Sequence, residues 1–374
     1  MGKSKVSEAL RFFVSAQFWR MGVLWTLQLI YSYLKLWSLN FAGKSRTYHR
    51  YRPKQDKAIS NRPVCIITGA TSGLGAAAAH ELAREGFYVV LEVRNAGFDR
   101  FICCWRTTEL EIKQKDNDAH VKAFQVDLTS FQSMLKFKDS LQQWLLDSDM
   151  HPSIQLLINN AGILATSHRL TAESHEKTLG TNYIGAFVLT NLLLPLLKKS
   201  YIPSRVVNVT SFTHRCVSDL DLDKETLFGA NQLLSKAYPC GEVYEYSKLC
   251  ILLFSYELHR QLRLLEGSAQ VSIMAADPGA VDTNIMREIP FYISNLANLV
   301  LKLFGLLQSP ENGVNSIIDA ALAPPEISGA YFFGGKGRIL PSSLLSYNSN
   351  LSERLWNISC ERFLPVVAAY SESR

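Results

Sequence analysis

Short apolar runs alternate with longer helical segments through the middle of this chain of 374 residues. The predicted strands lie at residues 62–68, 88–93, 121–126, 154–158, 205–209 and 270–275. The predicted helices between them include residues 76–85, 172–199 and 241–265. Strands that alternate with helices indicate a parallel sheet with helices on both faces. The pattern therefore predicts a doubly wound α/β fold with one main domain.

An uncharged, aromatic-rich segment precedes the first predicted strand. Residues 21–34 carry no charge, and Arg20 and Lys35 flank them. This run is shorter than the ~20 residues that cross a bilayer, but it extends to Ala42 if Lys35 reaches the interface with its ammonium. A helix in the membrane plane and a single span are equally good interpretations. A cleaved signal peptide is disfavoured, because no small-residue cleavage site follows.

A basic segment follows, with six Lys or Arg residues against one acid between Lys44 and Lys57. It is either a solvated linker or a contact for anionic lipid head groups. Positive charge is denser after the hydrophobic segment than before it. This asymmetry predicts that the main domain faces the cytosol from the endoplasmic reticulum or another endomembrane. Seven scattered cysteines without a CxxC pair favour reduced thiols, which agrees with that side.

The domain boundaries follow from these segments. Residues 1–57 are predicted as a membrane-associating segment and basic linker, 58–345 as the Rossmann-type domain, and 346–374 as a C-terminal tail. Within the domain, residues 284–310 are predicted as a substrate lid. The apolar content of 47% suits a globular core and is too low for a protein with many membrane spans.

A glycine-rich loop follows the first predicted strand. Residues 68–75 read TGATSGLG and stand directly before a predicted helix. Glycines there let the backbone turn tightly and approach a pyrophosphate, which the amides of the helix N-terminus stabilise. Strand, glycine loop and helix in this order predict a Rossmann-type dinucleotide site.

Small or polar residues also follow three later strands. Residues 159–162 (NNAG), 208–211 (NVTS) and 277–283 (DPGAVDT) each stand at the end of a predicted strand. Each alone could be a simple turn, and Ser211 could be an ordinary strand-end hydroxyl. Because ligands of open α/β sheets bind at the carboxyl ends of the strands, the three loops together predict the lining of a ligand cleft.

Tyr244 and Lys248 are four residues apart in a predicted helix and share one face. A tyrosine with a pKa of about 10 is a poor base at pH 7, and a neighbouring ammonium favours the phenolate. Tyr244 could then exchange a proton with a substrate oxygen while a hydride moves at carbon. Such a pair occurs by chance in many helices, so this interpretation depends on the loops around it.

The five motifs, in their order along the chain, resemble the short-chain dehydrogenase/reductase family, in particular its retinol- and polyprenol-dehydrogenase-like branch. The resemblance covers roughly residues 61–363. It implies an oxidoreductase that acts between an alcohol and a carbonyl with NAD(P). The implied catalytic residues are Asn182, Ser211, Tyr244 and Lys248. The implied cofactor contacts are Gly69, Thr71, Ser72, Gly73, Leu74, Gly75, Arg94, Asp127, Leu128, Asn160, Ala161, Gly162, Tyr244, Lys248, Pro278, Gly279, Val281 and Thr283.

The resemblance also implies a role for each residue of this tetrad. Ser211 orients the substrate oxygen, Tyr244 exchanges the proton, and Asn182 holds a water of the proton relay. Lys248 lowers the pKa of Tyr244 and binds the nicotinamide ribose, and Thr283 meets the carboxamide. The segment between Ser211 and Tyr244 is longer than is typical of the branch, so a surface excursion beside the site is predicted there.

The end of the second predicted strand bears on the choice between NAD and NADP. An acid there binds the ribose 2′-hydroxyl of NAD, whereas an arginine pairs with the 2′-phosphate of NADP. The acid position falls on Val93 and the next residue is Arg94, which predicts that NADP(H) is preferred, with NAD(H) possible. Glu92 complicates this prediction, because a shift of one residue would bring its carboxylate near the ribose.

Residues 289–307 carry a single charge, Lys302, and fall where the resembled family builds its substrate lid. An ordinary buried helix is an equally good interpretation. The apolar run is broad for a surface helix, and exposed apolar patches mark ligand or membrane sites. Together with the N-terminal segment, it predicts a lipophilic substrate drawn from the bilayer, such as a polyprenoid, a retinoid, a steroid or a fatty carbonyl.

Other functions compete with this one. A dinucleotide-binding scaffold or sensor that has lost catalysis would usually lack a residue of the tetrad, and all four are present. A metal-dependent dehydrogenase is disfavoured, because the eight histidines form no HxxxH or Cys/His cluster, and no metal is predicted. No nucleic-acid partner is predicted, since no basic face recurs. The resemblance makes a homodimer through helices 172–199 and 241–265 a further possibility.

Overall fold

Seven strands form one parallel sheet in a computed structural model, which describes residues 15–51, 62–93, 98–222, 238–266 and 270–372. The strands are β1 (Val64–Ile67), β2 (Tyr88–Val93), β3 (His120–Gln125), β4 (Leu156–Asn159), β5 (Ser204–Val209), β6 (Val271–Asp277) and, after a two-stranded ribbon of β7 (Ala280–Val281) and β8 (Leu307–Gln308), β9 (Ala330–Phe333). Their order is β3-β2-β1-β4-β5-β6-β9, and all neighbours run parallel. This confirms the predicted doubly wound Rossmann-type sheet, to which β9 adds an edge strand.

Helices cover both faces of this sheet. One face carries α2 (Gly73–Arg84), α3 (Phe98–Lys115) and α9 (Asn315–Ala321); the other carries α4 (Phe131–Asp147), α5 (Lys177–Lys198), α6 (Cys240–Glu266) and α10 (Ser349–Glu372). The structure also describes α1 (Ala16–Phe41), α7 (Phe291–Leu303) and α8 (Pro310–Gly313), which directly precedes α9. Every residue of β1, β4, β5 and β6 is buried, as expected for strands that are covered on both sides.

The C-terminal residues form α10, which packs into the core. Trp356 of α10 stacks on Phe254 of α6, with ring centroids 6.0 Å apart, and meets Phe187 of α5 edge-on at 5.6 Å. Phe363 of the same helix is 1% exposed. The chain's own C-terminal helix therefore packs against both helices that were expected to form a homodimer. The homodimer and the domain boundary at residue 345 stay predictions.

The N-terminal helix α1 packs lengthwise against the domain. Leu29 and Leu36 are 0% and 3% exposed and pack with Phe333 and Leu340, near the carboxyl ends of β6 and β9. Tyr33 contacts Phe333 with a ring-centroid separation of 5.1 Å. The opposite side of α1 exposes apolar side chains at Trp19, Val23, Leu27, Tyr31, Leu34, Trp37 and Phe41. Docking on one side thus leaves an apolar stripe uncovered on the other.

Membrane spans were tested by length and hydropathy over the described residues. There, α5 is the helix long and apolar enough to cross a membrane, and 78% of its apolar window is buried inside the domain, as in a core helix. Within the described residues α1 does not meet this criterion, and its apolar stripe lies on the exposed side of the docked helix.

The first half of the basic segment is also fixed to the domain. Arg50 forms an ion pair with the buried Asp319 at 2.7 Å and donates to Asn315 at 2.9 Å. The amide of Tyr48 donates to the carbonyl of Gly337 at 2.8 Å. Arg50 is therefore paired within the domain, whereas Lys44 is exposed. Residues 52–61 lie outside the described residues, so the rest of the basic segment keeps both interpretations.

Arg205 of β5 is buried and closes the C-terminal end of α9. Its guanidinium donates to the carbonyls of Ala321 at 2.8 Å, Ala323 at 2.7 Å and Pro324 at 3.1 Å. Its Nε donates to the Ser272 hydroxyl at 2.8 Å. The last carbonyls of a helix need such donors, and a cation is favoured at this end of the helix dipole.

We expect Arg205→Leu to lower the free energy of unfolding by about 3 kcal/mol, because buried carbonyls would lose their donors. Arg205→Lys keeps the charge with fewer donors and should lose less. Urea unfolding followed by circular dichroism measures both variants. A loss below about 1 kcal/mol for Arg205→Leu would contradict the capping role.

Candidate active site

The glycines of the loop between β1 and α2 stand where no side chain fits. A Cβ on Gly75 would overlap the carbonyl oxygen of Gly69, and a Cβ on Gly69, whose φ is +64°, would lie 3.0 Å from the Cα of Ala161. Ser72 precedes α2 without capping it through its side chain. The first turn of α2 therefore faces the cleft with amides that remain available to an anion.

Thr68 and Asn160 lock the loop after β4 to the glycine loop. The Thr68 hydroxyl accepts from the amides of Asn160 and Ala161, both at 2.9 Å. The Asn160 side chain donates to the Thr68 carbonyl at 2.8 Å. The cradle that would hold a pyrophosphate is thus preformed by the protein itself.

The end of β2 carries a buried carboxylate. Glu92 is 2% exposed, pairs with Phe124 of β3 in register, and accepts a hydrogen bond from the amide of Gly69 at 2.6 Å. Val93, at the position of an NAD-selecting acid, is 3% exposed and packs in the core. Arg94 lies outside the described residues. The register of β2 is the predicted one, and Glu92 has a structural partner in the glycine loop that sequence reasoning missed.

Asp127 and Leu128 follow β3 at the same edge of the sheet. The Asp127 carboxylate accepts from the amide of Thr129 at 2.9 Å and from its hydroxyl at 2.6 Å, and the Asp127 amide donates to Ser133 at 2.9 Å. Asp127 and Leu128 both line the cleft. The Asp127 carboxylate therefore stabilises the turn of residues 127–129 by hydrogen bonds within it, and this turn lies along the wall of the cleft.

A π-helical turn interrupts α5 at Gly180–Ile184 and contains Asn182. The Asn182 side chain accepts from the amide of Ile163 at 2.8 Å and donates to the Ile163 carbonyl and to Ser247, both at 3.0 Å. It thereby ties the loop after β4 to α6. Single π turns inside α-helices occur often at functional sites.

Ser211, Tyr244 and Lys248 meet beyond the carboxyl end of β5. The Lys248 ammonium lies 5.7 Å from the centre of the Tyr244 ring and donates to the carbonyl of Val209 at 3.0 Å. The hydroxyl of Ser211 hydrogen-bonds to Tyr244 and accepts from the amide of Thr213 at 3.3 Å. Asn182 reaches this group through Ser247, so the structure brings the four predicted residues together.

The pKa values of this group differ from the expectation. Burial raises the pKa of Tyr244 above its ordinary value, the negative charge of Asp277 adds to the rise, and the hydrogen bond with Ser211 opposes it. Burial lowers the pKa of Lys248 to about 8, although Asp277 opposes this shift. The predicted lowering of the tyrosine pKa is therefore not found, because burial of the ring dominates, and both groups are protonated at pH 7.

Asp277, the first residue of the predicted 277–283 loop, is a second buried acid, and sequence reasoning did not predict its partners. It is 0% exposed and accepts from the Tyr331 hydroxyl at 2.5 Å and from the Gly279 amide at 2.8 Å. Burial raises its pKa, against these hydrogen bonds and the nearby charges of Arg215 and Lys248. An acid at the end of a buried and largely apolar strand was the available signal.

A cleft of about 450 Å³ gathers most of the predicted contacts. Its walls include the predicted residues Gly69, Thr71, Ser72, Gly73, Leu74, Asp127, Leu128, Asn160, Ala161, Gly162, Ser211, Tyr244, Lys248, Pro278, Gly279, Val281 and Thr283. Thr283 closes over the glycine loop, since a Cβ on Gly73 would lie 3.1 Å from its methyl carbon. Gly75 and Asn182 are not among the lining residues and support the cleft from behind it.

The helix α7 stands at one rim of this cleft, within the predicted lid. Ile293 is its buried residue, while Leu301 lines the cleft. Large apolar side chains of this segment are exposed at Phe291, Tyr292, Leu296, Leu299, Val300, Leu303 and Phe304. The interpretation as an ordinary buried helix is therefore wrong, because most of this apolar surface faces outward.

Trp25 of α1 lines the same cleft, which sequence reasoning did not predict. Its ring centre lies 5.6 Å from that of Tyr244, and its Nε1 donates to Glu245 at 2.7 Å. These contacts join residues that are more than 200 positions apart, so no local pattern reports them. The N-terminal helix thus contributes a wall of the candidate active site.

Comparisons with known proteins agree with this geometry. A family model described as short chain dehydrogenase matches residues 63–216. Human polyprenol dehydrogenase is 33% identical over 305 residues, which are 80% of this chain and 84% of the relative. Human retinol dehydrogenase 12 is 32% identical over 303 residues, 80% of this chain and 85% of the relative. The crystal structure of an uncharacterised protein from Mycobacterium paratuberculosis is 28% identical, covers 81% of this chain and 94% of its own, and has a TM-score of 0.57.

His214 supports the turn that carries Ser211. Its Nδ1 donates to the Ser211 carbonyl at 2.6 Å, and its Nε2 accepts from the amide of Ser343 at 3.1 Å. Burial lowers the pKa of His214 to about 3, and the charge of Arg215 acts in the same direction. The ring is therefore neutral in the folded protein.

This neutral histidine should make the protein less stable as the pH falls from about 6.5 to about 3, because only the unfolded chain takes up its proton. Within this range, His214 alone should lower the free energy of unfolding by up to ~1.4 kcal/mol for each pH unit. His214→Gln should flatten the decline by about that slope. Urea unfolding at a series of pH values tests this, with the exposed His49→Gln as the control. An unchanged slope in His214→Gln would contradict the assignment.

Proposed function

The chain belongs to the short-chain dehydrogenase/reductase family and is an alcohol/carbonyl oxidoreductase, and we propose that it uses NADP(H) to interconvert an alcohol and a carbonyl on a lipophilic substrate. The observation that carries the proposal is the cleft itself. Ser211, Tyr244 and Lys248 line it together with the glycine loop, and Trp25 of α1 and Leu301 of α7 add apolar walls.

The proton chemistry is assigned to the side chains at the end of β5. A bound nicotinamide dinucleotide supplies or accepts the hydride. Tyr244, which its raised pKa keeps protonated at pH 7, donates a proton to the substrate oxygen in the reducing direction. The Ser211 hydroxyl orients that oxygen. Lys248 is held beside the tyrosine by the Val209 carbonyl and would bind the nicotinamide ribose.

Asn182 is assigned a positioning role. Both N–H groups of its side chain are used by Ile163 and Ser247. A relay water would therefore have to bind through the backbone of the π turn or the remaining lone pair of the amide oxygen. In either case the side chain fixes the distance between α6 and the loop after β4.

The residues of the cleft fit a dinucleotide. Gly69 and Gly75 leave the space that a Cβ would fill, and Ser72–Leu74 present the start of α2. The adenine would lie beside Asp127 and Leu128, and the nicotinamide beside the 278–283 turn. We propose a preference for NADP(H) because Val93 offers no acid and Arg94 is the next residue.

A lipophilic substrate is supported by the surroundings of Tyr244. Met21, Leu164, Ile289 and Ile293 form an apolar cluster with its ring. Beyond this cluster, α1 and α7 both expose large apolar side chains. Two relatives are named for apolar alcohols, polyprenol and retinol, and we propose a substrate of that class here.

We further propose that α1 lies in the membrane surface rather than across the bilayer. A span would pull Leu29 and Leu36 out of their contacts and break the ion pair of Arg20 with the buried Glu245. An in-plane helix keeps these contacts and offers its apolar stripe to the lipid. The cytosolic side and an endomembrane location are kept as expectations from the charge pattern.

A catalytically silent dinucleotide scaffold is the second candidate function. The four predicted catalytic residues are present and brought together, and no observation in the described residues favours the loss of catalysis. A wild-type protein that binds NADPH but reduces no carbonyl would support the scaffold.

We expect Tyr244→Phe to lower kcat with a long apolar aldehyde by about 10²- to 10⁴-fold, because the proton donor is removed. NADPH affinity, measured by fluorescence titration, should change little. Tyr246→Phe, two positions along the same helix, is the matched control and should keep its activity. Retention of most activity in Tyr244→Phe would contradict the proposed chemistry.

For the cofactor, Arg94→Ala should lower kcat/KM for NADPH by about 10- to 100-fold through loss of a charge-assisted contact with the 2′-phosphate. The kcat/KM for NADH should stay nearly constant. Arg84→Ala, an exposed arginine at the end of α2, serves as the control. Equal kcat/KM values for the two cofactors in the wild type would refute the preference.

A further inference from the structure

Glu245 directly follows Tyr244 in α6 and is 1% exposed. Its carboxylate accepts two hydrogen bonds from the Arg20 guanidinium, at 2.9 and 2.8 Å, and one from Trp25 Nε1 at 2.7 Å. Bidentate arginine–carboxylate pairs are strong and directional, and a buried carboxylate is costly without its donors. These three side chains, called the α1 clamp below, fix α1 against the turn of α6 that carries the tyrosine.

Trp25 connects the clamp to the reacting end of the cleft. Its ring lies 5.6 Å from that of Tyr244, with 42° between the ring planes, and it lines the same cleft as Ser211. The indole N–H is bound to Glu245, so the rest of the ring, which is carbon, remains for other contacts. Trp25 therefore forms an apolar wall next to a polar reaction centre.

The close approach of α1 to α6 is built into the sequence. A Cβ on Gly241 would lie 2.5 Å from the Cγ of Met21, so a larger residue there would displace the Met21 side chain. Met21 is 5% exposed and packs with Tyr244 and with Ile293 of α7. The start of α6, the N-terminal helix and the lid helix thus share one apolar cluster.

We propose that Trp25 contacts the apolar chain of the substrate beside its reacting carbon, and that Arg20 and Glu245 are positioning residues that hold Trp25 and Tyr244 against each other. The proposal rests on the function proposed above and adds that α1 is part of the active site. A long apolar substrate would reach Tyr244 between α1 and α7 along the whole Trp25 ring, whereas a short one would contact only the part of the ring beside Tyr244.

The substrate contact is tested with Trp25→Ala in the full-length protein with NADPH. The probes are all-trans-retinal and geranylgeranial as long apolar aldehydes and hexanal as a short one. We expect kcat/KM for the long aldehydes to fall about 10- to 100-fold, mainly through KM, and hexanal to change less than about threefold. Equal effects on long and short probes, or no effect on either, would overturn the substrate contact.

The positioning role is tested with Arg20→Met, Glu245→Gln and the double variant. Each single change should lower kcat about tenfold on all probes. The kcat of the double variant should be no lower than that of the less active single variant, because both substitutions break the same Arg20–Glu245 contact. NADPH affinity should be unchanged. The control is Glu242→Gln, whose half-exposed carboxylate is 3.8 Å from Arg20 outside the clamp. A lower melting temperature with unchanged kcat would overturn this role.

The outcomes separate this inference from the function on which it rests. A wild-type protein that reduces neither retinal nor geranylgeranial would refute the proposed function. A wild-type protein that reduces them, with Trp25 variants that treat long and short aldehydes alike, would refute the inference alone. If Trp25→Ala does not fold, Trp25→Leu is measured in its place and the same outcomes apply.

Discussion

The ammonium of Lys248 is buried at 4% exposure, and the geometry of the cleft depends on keeping it partnered. A buried charge is tolerated when acceptors and opposite charge surround it. The Val209 carbonyl accepts from it at 3.0 Å, and the carboxylate of Asp277 favours its charged form. The loop after β4 passes nearby, since a Cβ on Gly162 would lie 3.6 Å from the ammonium nitrogen. The buried cation thus ties the face of α6 that carries Tyr244 to the end of β5, and the charge of Asp277 at the end of β6 stabilises it.

The need of a buried charge for hydrogen-bond partners also explains why the N-terminal helix belongs to the site. The buried Glu245 carboxylate would be costly without hydrogen-bond donors, and α1 provides them through Arg20 and Trp25. Once α1 is docked, its far side is an apolar stripe that the domain does not cover. A helix that closes the active site on one side and presents apolar residues on the other connects a membrane surface to the chemistry.

Most of the fold followed from local patterns in the sequence. The six predicted strands are present, and β2 occupies the predicted residues 88–93. The added strand β9 is only four residues long, AYFF, which periodicity cannot distinguish from a buried turn. The helix α10 was predicted as a tail, because only its contacts with α5 and α6 show that its apolar residues belong to the core. The tetrad was found through a resemblance, whereas Trp25, Glu245 and Asp277 depend on partners distant in the chain. The pKa direction of Tyr244 also required the structure, since burial cannot be read from a spacing of four residues.

If this cleft moves a hydride and a proton between an alcohol and a carbonyl, the hydride of the cofactor must appear on the substrate carbon, and isotope transfer can follow it there. The purified full-length protein is incubated with NADPH that carries deuterium at both C4 positions and with all-trans-retinal or geranylgeranial. Mass spectrometry then locates the label in the product. The account predicts an alcohol with one deuterium on its carbinol carbon. An alcohol without deuterium, or no alcohol from either aldehyde, would contradict it.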